Sequence, residues 1–238
     1  MQRLPRLLFL QIRSKSTKSI TPQFIGLASY FKYAESTNLR TDTTTFVGTS
    51  YELLVQRQLT SILQMKKLEH MGGSFDYGID LKGKWDLSPY KPTSQEQEVL
   101  PIPVFKGKKI KPIISKKSQI IDVLIQCKNH SVKLTAKHIR EISGIYNFSV
   151  TSVKRSKTFM IVCSPTILTP QGITQMNAVD IPIIYIWLEK LRKKSIDSKE
   201  YDIEGYEGGQ LKGFYCNDFA TCLLQGLNVE ADIQLLCE

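Results

Sequence analysis

Two short stretches hold side chains that could do chemistry together: Gly72-Gly73-Ser74-Phe75-Asp76-Tyr77-Gly78-Ile79-Asp80 and Val123-Leu124-Ile125-Gln126-Cys127-Lys128. The first is a glycine-punctuated turn running into a strand that carries the carboxylate Asp80. The second is an apolar strand that ends by presenting a carboxamide and an amine. Residues two apart on a strand share a face and lie about 6.6 Å apart, so Gln126 and Lys128 point one way while Ile125 and Cys127 point the other. Cleaving a phosphodiester requires charge neutralisation and an activated water, and a divalent cation supplies both. Magnesium takes one or two carboxylates, neutral oxygens and waters. Asp80, the Gln126 amide oxygen and the Cys127 backbone carbonyl are therefore candidate ligands for Mg2+ or Mn2+. Lys128 is the candidate to orient or deprotonate the water, or to stabilise the developing negative charge.

The elements that must position these groups follow from periodicity. Residues 45–69 carry Tyr51, Leu54, Val55, Leu59, Ile62 and Leu63 at three- and four-residue steps, which predicts an amphipathic helix capped by Thr49 or Ser50. Glu52 then borders the buried face in the first turn. There it either favours the helix N-terminus electrostatically or holds a metal-bound water or the lysine. Gly72-Gly73 ends that helix, Asp76 is read as a turn residue, and Tyr77 to Leu87 reads as one strand or a pair joined near Gly83. The run 119–128 is the buried middle of a sheet. Leu134 to Phe148 reads as a helix begun near Thr135, Thr158 to Cys163 as a buried strand, and Thr169 to Asn177 as a short helix. Ile181 to Trp187 reads as a strand leading into a basic helix, Leu188 to Lys194. Strands alternating with helices in this order predict an α/β domain with a mixed central sheet flanked by helices.

Charge is unevenly spread. The chain has 32 Lys and Arg against 22 Asp and Glu, a net +10. Residues 197–238 hold nine acids and two lysines, whereas 21–196 hold 25 basic and 13 acidic residues. The positive excess thus falls on the segment bearing the two stretches, as a phosphate-backbone binder requires; a solvated basic surface is the plainer alternative. Residues 88–118 form a lysine- and proline-rich insertion, read as a surface loop. Lys108 and Lys109 within it, with Lys133, Lys137 and Arg140 beyond, are candidate nucleic-acid contacts. The first 34 residues lack acids and mix Arg3, Arg6, Arg13, Lys15 and Lys18 with Leu4, Leu7, Leu8, Phe9, Leu10 and Ile12. That is the composition of a mitochondrial transit peptide over about residues 1–20, and it places the mature chain in the mitochondrion, in the matrix. No apolar run approaches membrane-spanning length. Five widely spaced cysteines and three histidines form no zinc pattern, which suits a reducing compartment with free thiols.

The runs Gly72-Gly73-x-x-Asp76-x-Gly78-Ile79-Asp80-Leu81 and Val123 to Lys128 resemble the Mrr-like branch of restriction-endonuclease-like, PD-(D/E)xK nucleases. So do Lys137-His138-Ile139-Arg140-Glu141-Ile142-Ser143-Gly144, Met160 to Ser164 with Thr169-Pro170-Gln171-Gly172, and Ile183 to Leu188, in the order of that branch. The resemblance spans about residues 48–192. It implies a three-layer restriction-endonuclease-like core over 45–194, with an acidic extension at 195–238. It places Asp80 at the metal-binding aspartate, Gln126 where many relatives have Glu, Lys128 at the catalytic lysine and Glu52 at the acidic residue of the first helix. Gln126 removes one negative charge from the metal site, and the 88–118 insertion separates strands that relatives join tightly. The expected activity is a magnesium-dependent DNA nuclease contributing to mitochondrial genome maintenance. The alternative is a maintenance factor on the same fold that binds nucleic acid without cutting it. Pairing into a homodimer is left open, with the acidic stretch available for it.

Overall fold

Apolar residues recur at every second position in the central strands on both parities, so each strand must bury two faces at once. The structure, a computed structural model, describes residues 24–71, 77–92 and 100–237. Six strands form one sheet: β1 (Lys66–His70), β2 (Leu81–Asp86), β3 (Ile120–Cys127), β4 (Thr158–Ser164), β5 (Ile183–Leu188) and β6 (Leu211–Cys216). They lie side by side in sequence order. β3, β4 and β5 are parallel, and the remaining neighbours are antiparallel, giving a mixed sheet.

On one face Val123, Ile125, Phe159, Ile161, Ile184 and Ile186 join a cluster covered by α1 (Leu27–Ser36), α2 (Thr44–Ser61), α5 (Asp218–Leu224) and α6 (Val229–Gln234). On the other face Leu124, Met160, Val162, Ile183 and Tyr185 pack under α3 (Ala136–Ser149) and α4 (Pro170–Asn177). The result is three layers, helices over sheet over helices, as the strand–helix alternation predicts. Among the described residues no helix is long and apolar enough to cross a membrane. The leader at 1–20 lies outside the described residues, as do Gly72, Gly73 and Asp76 of the glycine turn.

Three expectations need correction. The predicted helix over 45–69 ends at Ser61, and 66–70 is a strand paired antiparallel to β2. Gln64, in the left-handed conformation at φ 53°, breaks the helix, while Leu63 and Met65 stay buried as the chain extends; apolar residues at alternate positions extended the helical pattern by coincidence. The cap is Thr43, whose hydroxyl accepts from the Phe46 N–H at 3.2 Å. Glu52 therefore sits two turns inside the helix, beyond the reach of the terminal dipole. The basic stretch 188–194 is not helical: Arg192–Lys193 is extended and pairs with Tyr206–Glu207. Of its two leucines Leu188 is the last residue of β5, paired with Leu211, which leaves Leu191 alone for an apolar stripe, and Glu207 holds the Arg192 guanidinium at 2.8 Å.

The C-terminal region is built into the sheet. β6 pairs antiparallel with β5, and Asn217 behind it is fully buried. Its amide donates to the Met176 and Ile181 carbonyls at 2.9 and 3.0 Å, and its oxygen accepts from the Ile183 and Ala220 N–H groups, both at 3.0 Å. The described residues of the insertion carry two short 3-10 turns and a two-stranded ribbon, Val104–Phe105 with Lys108–Lys109. Phe105 anchors it edge-on against Phe219 at 5.2 Å.

Candidate functional site

The carboxyl ends of the parallel strands carry the expected residues. Asp80 precedes β2 and lies between two strands: its carbonyl accepts from the Met71 N–H at 2.8 Å and its N–H donates to the Ile125 carbonyl at 2.9 Å. Its carboxylate Oδ2 accepts from the Cys127 backbone N–H at 2.5 Å. The Asp80 side chain is thereby fixed to the end of β3.

Gln126 is 3% exposed on the α3 face of the sheet, and its Oε1 has no hydrogen-bond donor among the described residues. An orphaned buried carbonyl oxygen calls for explanation. Gly78 makes room for this side chain. Its backbone sits at φ 78°, and a Cβ there would come within 2.6 Å of Ile145 Cδ1 and 3.3 Å of Gln126 Nε2. Glycine is thus required both for the left-handed turn and for the close approach.

Lys128 follows β3, its N–H continuing the ladder to the Cys163 carbonyl at 2.8 Å. Its ammonium, mostly buried, donates to Glu141 of α3 at 3.2 Å. As the alternation predicts, Gln126 and Lys128 share the α3 side, while Cys127 packs against the α2-side cluster. Burial first, then the nearby charges of Asp80, Cys163 and Glu52, pushes the Cys127 thiol well up. Cys163, beside it on β4, is raised by burial and Asp80. Neutral thiols are neither nucleophiles nor metal ligands, so the sulfur chemistry at this end is silent.

Glu52 is engaged elsewhere. Its Oε2 pairs with His70 Nε2 at 2.5 Å, both side chains being about three-quarters buried. His70 and Glu141 are members of this neighbourhood that sequence reasoning did not assign. Glu141 lies within the quoted Lys137–Gly144 run but carried no role there. His70 gave no local signal, because its partner is 18 residues away.

The basic candidates divide. Lys133 and Lys137 are exposed beside the start of α3, which follows directly from the Lys128 end of β3. Arg140 lies one turn further and bonds Gln175 of α4 at 3.3 Å. Lys108 and Lys109 are not brought here. Their ribbon is tied by the Lys106 ammonium to the Ala178 carbonyl, at the C-terminal end of α4. That end of α4 leads into the start of β5, at the opposite edge of the parallel strands. His130 is at the Lys128 end, 5.6 Å from His138 between ring centroids, and its pKa is lowered by burial and then by Lys128 and His138.

Among the described residues no three His, Cys, Asp or Glu side chains cluster closely enough to hold a metal. The expected ligands are a different set: one carboxylate, one amide oxygen and one backbone carbonyl. The unpartnered Gln126 Oε1 and the strand-anchored Asp80 carboxylate suit a hard cation that keeps several waters, such as magnesium, and not zinc. α3 and α4 also begin at this end, capped by Thr135 and by Thr169, whose Oγ1 accepts from the Gly172 N–H at 3.1 Å. Their N-termini favour anions there.

The family model described as Required for respiratory growth protein 7 matches residues 43–224. A curated relative from Lachancea thermotolerans, named Required for respiratory growth protein 7, mitochondrial, is 35% identical over 209 residues, covering 83% of this chain and 80% of its own. Relatives of the same name from Zygosaccharomyces rouxii and Kluyveromyces lactis are 32% and 31% identical, covering 80% and 86% of this chain and 81% and 89% of theirs. No solved structure matches. A match from before α2 to the end of α5, shared with relatives covered over most of their length, places every candidate site residue inside the common region. The chain belongs to the Required for respiratory growth protein 7 family.

Proposed function

We propose that this chain is a magnesium-dependent nuclease of the PD-(D/E)xK type that hydrolyses DNA phosphodiesters in the mitochondrial matrix, in support of genome maintenance and respiratory growth. One observation carries the reading: a buried, unpartnered amide oxygen of Gln126 lies on the strand whose end anchors the Asp80 carboxylate and launches Lys128. The location and process follow the names of the relatives, which are mitochondrial and required for respiratory growth.

Asp80, Gln126 Oε1 and the Cys127 carbonyl would hold the cation. When bound, it would neutralise phosphate charge and acidify a water. The chain's own groups do the rest. The α3 and α4 N-termini with Lys133 and Lys137 draw the phosphate backbone to the carboxyl ends of the parallel strands. Lys128, whose Nζ donates to Glu141 at 3.2 Å, is poised to transfer that hydrogen bond to the developing negative charge. The Glu52–His70 pair braces α2 against β1 and so fixes the strand that borders Asp80.

The test is the purified chain with magnesium or manganese on duplex, single-stranded and branched DNA. Cleavage should fall at least about a hundredfold in Lys128→Ala and Asp80→Ala, with the fold intact by circular dichroism. If the wild-type protein leaves every DNA form uncut, the nuclease reading fails. Salt-sensitive binding that persists in Asp80→Ala would then identify a factor that binds nucleic acid without cutting it, the role favoured by the neutral Gln126.

A further inference from the structure

Two large rings stand in water beside the candidate site. Tyr77 is 64% exposed and Phe148 is 74% exposed, and their ring centroids lie 5.3 Å apart at an interplanar angle of 38°. The rings touch each other and leave their outer surfaces open. Their place relative to the site is fixed, because a Cβ on Gly78, next to Tyr77, would meet both Ile145 and Gln126. Glu141, which holds Lys128, is followed along α3 by Ile145 and Phe148 at steps of four and three, so the three share one stripe of the helix. That stripe runs from Lys128, past Gln126, to the rings, and Asp80 comes three residues after Tyr77. Packing does not account for Tyr77. Its φ is 53° and that of Gly78 is 78°, consecutive left-handed residues for which asparagine or glycine is the low-energy choice at the first position. A tyrosine there strains the backbone and leaves its ring in water, so neither the turn nor the core calls for it.

The surroundings of the pair are cationic. The 3-10 turn Ser152–Lys157, just beyond the end of α3, carries Lys154, Arg155 and Lys157. The Arg155 guanidinium donates to Asn147, the neighbour of Phe148, at 2.6 Å, and the Lys116 ammonium donates to the Ser156 carbonyl at 2.6 Å. Burial, then the charges of Lys157 and Lys111, lowers the Lys116 pKa, as crowded cations do. None of these five groups enters an ion pair among the described residues. Asp122, whose partner on β4 is Thr158, is held by Lys84 at 2.8 Å.

We infer that Tyr77 and Phe148 stack an unpaired base of a nucleic-acid strand next to the Asp80–Gln126 site, while the cations at the two ends of α3 hold the phosphates on either side of it. Every base has a π-face, so exposed rings on a basic surface bind a strand whatever its sequence. In a duplex those faces are already covered by neighbouring bases, so the rings select single-stranded or frayed substrate. An anionic membrane would also suit rings among cations, but it gives no reason for the rings to lie in line with Lys128 and Gln126. The inference rests on the nucleic-acid reading and names its substrate class; it does not require cleavage. DNA and RNA strands share this chemistry.

Fluorescence anisotropy of the full chain without divalent metal tests it, on labelled oligothymidylate, the matching ribo-oligonucleotide, a duplex and an abasic strand of equal length. The single strand should bind more tightly than the duplex. Tyr77→Ala and Phe148→Ala should each weaken single-strand binding at least about fivefold, whereas Phe148→Trp should keep it. The abasic strand, which carries phosphates without bases, should bind the wild type and both alanine variants alike. Tyr77→Asn should weaken the single strand as Tyr77→Ala does without lowering the melting temperature, since asparagine tolerates the left-handed turn; a merely structural tyrosine would show the opposite. The tighter of the deoxy and ribo strands identifies the substrate. Single-strand binding indifferent to both alanine variants overturns the inference. So does binding to phosphatidylglycerol vesicles, or self-association, that Phe148→Ala abolishes while strand affinity stays unchanged. Asp80→Ala separates the inference from the nuclease reading. Ring-dependent strand binding retained there, with no cleavage by the wild type, leaves the stacking site standing and the nuclease fallen. Metal-dependent cleavage with strand binding indifferent to the rings does the reverse.

Discussion

Replacing Gln126 by glutamate tests whether the orphaned amide oxygen is a metal ligand. The substitution conserves shape but adds a charge to a side chain that is 3% exposed and lies near Asp80. An uncompensated buried charge costs roughly 3–5 kcal/mol, and the low end applies because a carboxyl can take up a proton instead. About 3 kcal/mol in a chain of this size lowers the melting temperature by roughly 6–12 °C. The pH dependence has a definite sign. Burial raises the folded pKa of the new carboxyl above its unfolded value of about 4.3. The folded state then holds more protons, so the penalty is absent below that pH, grows as pH rises toward the folded pKa, and is constant above it. A divalent ligand reverses the loss. Magnesium at about 100 times its dissociation constant adds about 2.7 kcal/mol, which should restore most of the melting temperature at pH 8 while leaving the wild-type protein less affected. Calorimetry with and without magnesium, from pH 4 to 8, reads all of this. A variant that melts like the wild type without metal, or that magnesium does not rescue, would show that Gln126 does not face a cation site.

Asn217→Ala removes all four hydrogen bonds of a fully buried carboxamide and should cost about 4 kcal/mol in urea unfolding; a loss under about 1 kcal/mol would deny it a structural role. Gly78→Ala, at φ 78°, should lose about 1–2 kcal/mol in the same assay, and an unchanged midpoint would mean the turn relaxes freely. Burial and the Asp80 charge hold Cys127 and Cys163 as thiols, so iodoacetamide at pH 8 should label Cys222 and Cys237 first; early labelling of Cys127 by peptide mass spectrometry would contradict this.

The parts legible in the sequence were those with a local cause. The apolar run of β3, the Thr135 start of α3, the Thr169-Pro170 start of α4 and the two-residue spacing that puts Gln126 and Lys128 on one side all rest on neighbouring residues. What was not legible depends on distant partners. β1 reads as helix because its strand character comes from pairing with β2. β6 sits in an acidic stretch whose apolar alternation is short, and only the edge of β5 makes it a strand. Lys108 and Lys109 were grouped with Lys137 by charge alone, whereas the anchoring of their ribbon at Ala178 sends them to the other end of the sheet. The Glu52–His70 pair joins a helix to a strand mistaken for that same helix.

The sequential strand order has a consequence for how the chain assembles. Each strand's partners are its immediate predecessor and successor, so a chain delivered N-terminus first could zip its sheet as it emerges, with little search for remote partners. The α2 side is completed late. α5 and α6 come from the end of the chain, and their apolar residues belong to the same cluster as those of α1 and α2. Until they arrive, part of that cluster is open to water and to other unfinished chains. Asn217, which ties β6, β5 and α4 in one step, then acts as the closing latch. A chain cut before it would retain most of its ladder while exposing the surface most prone to aggregate.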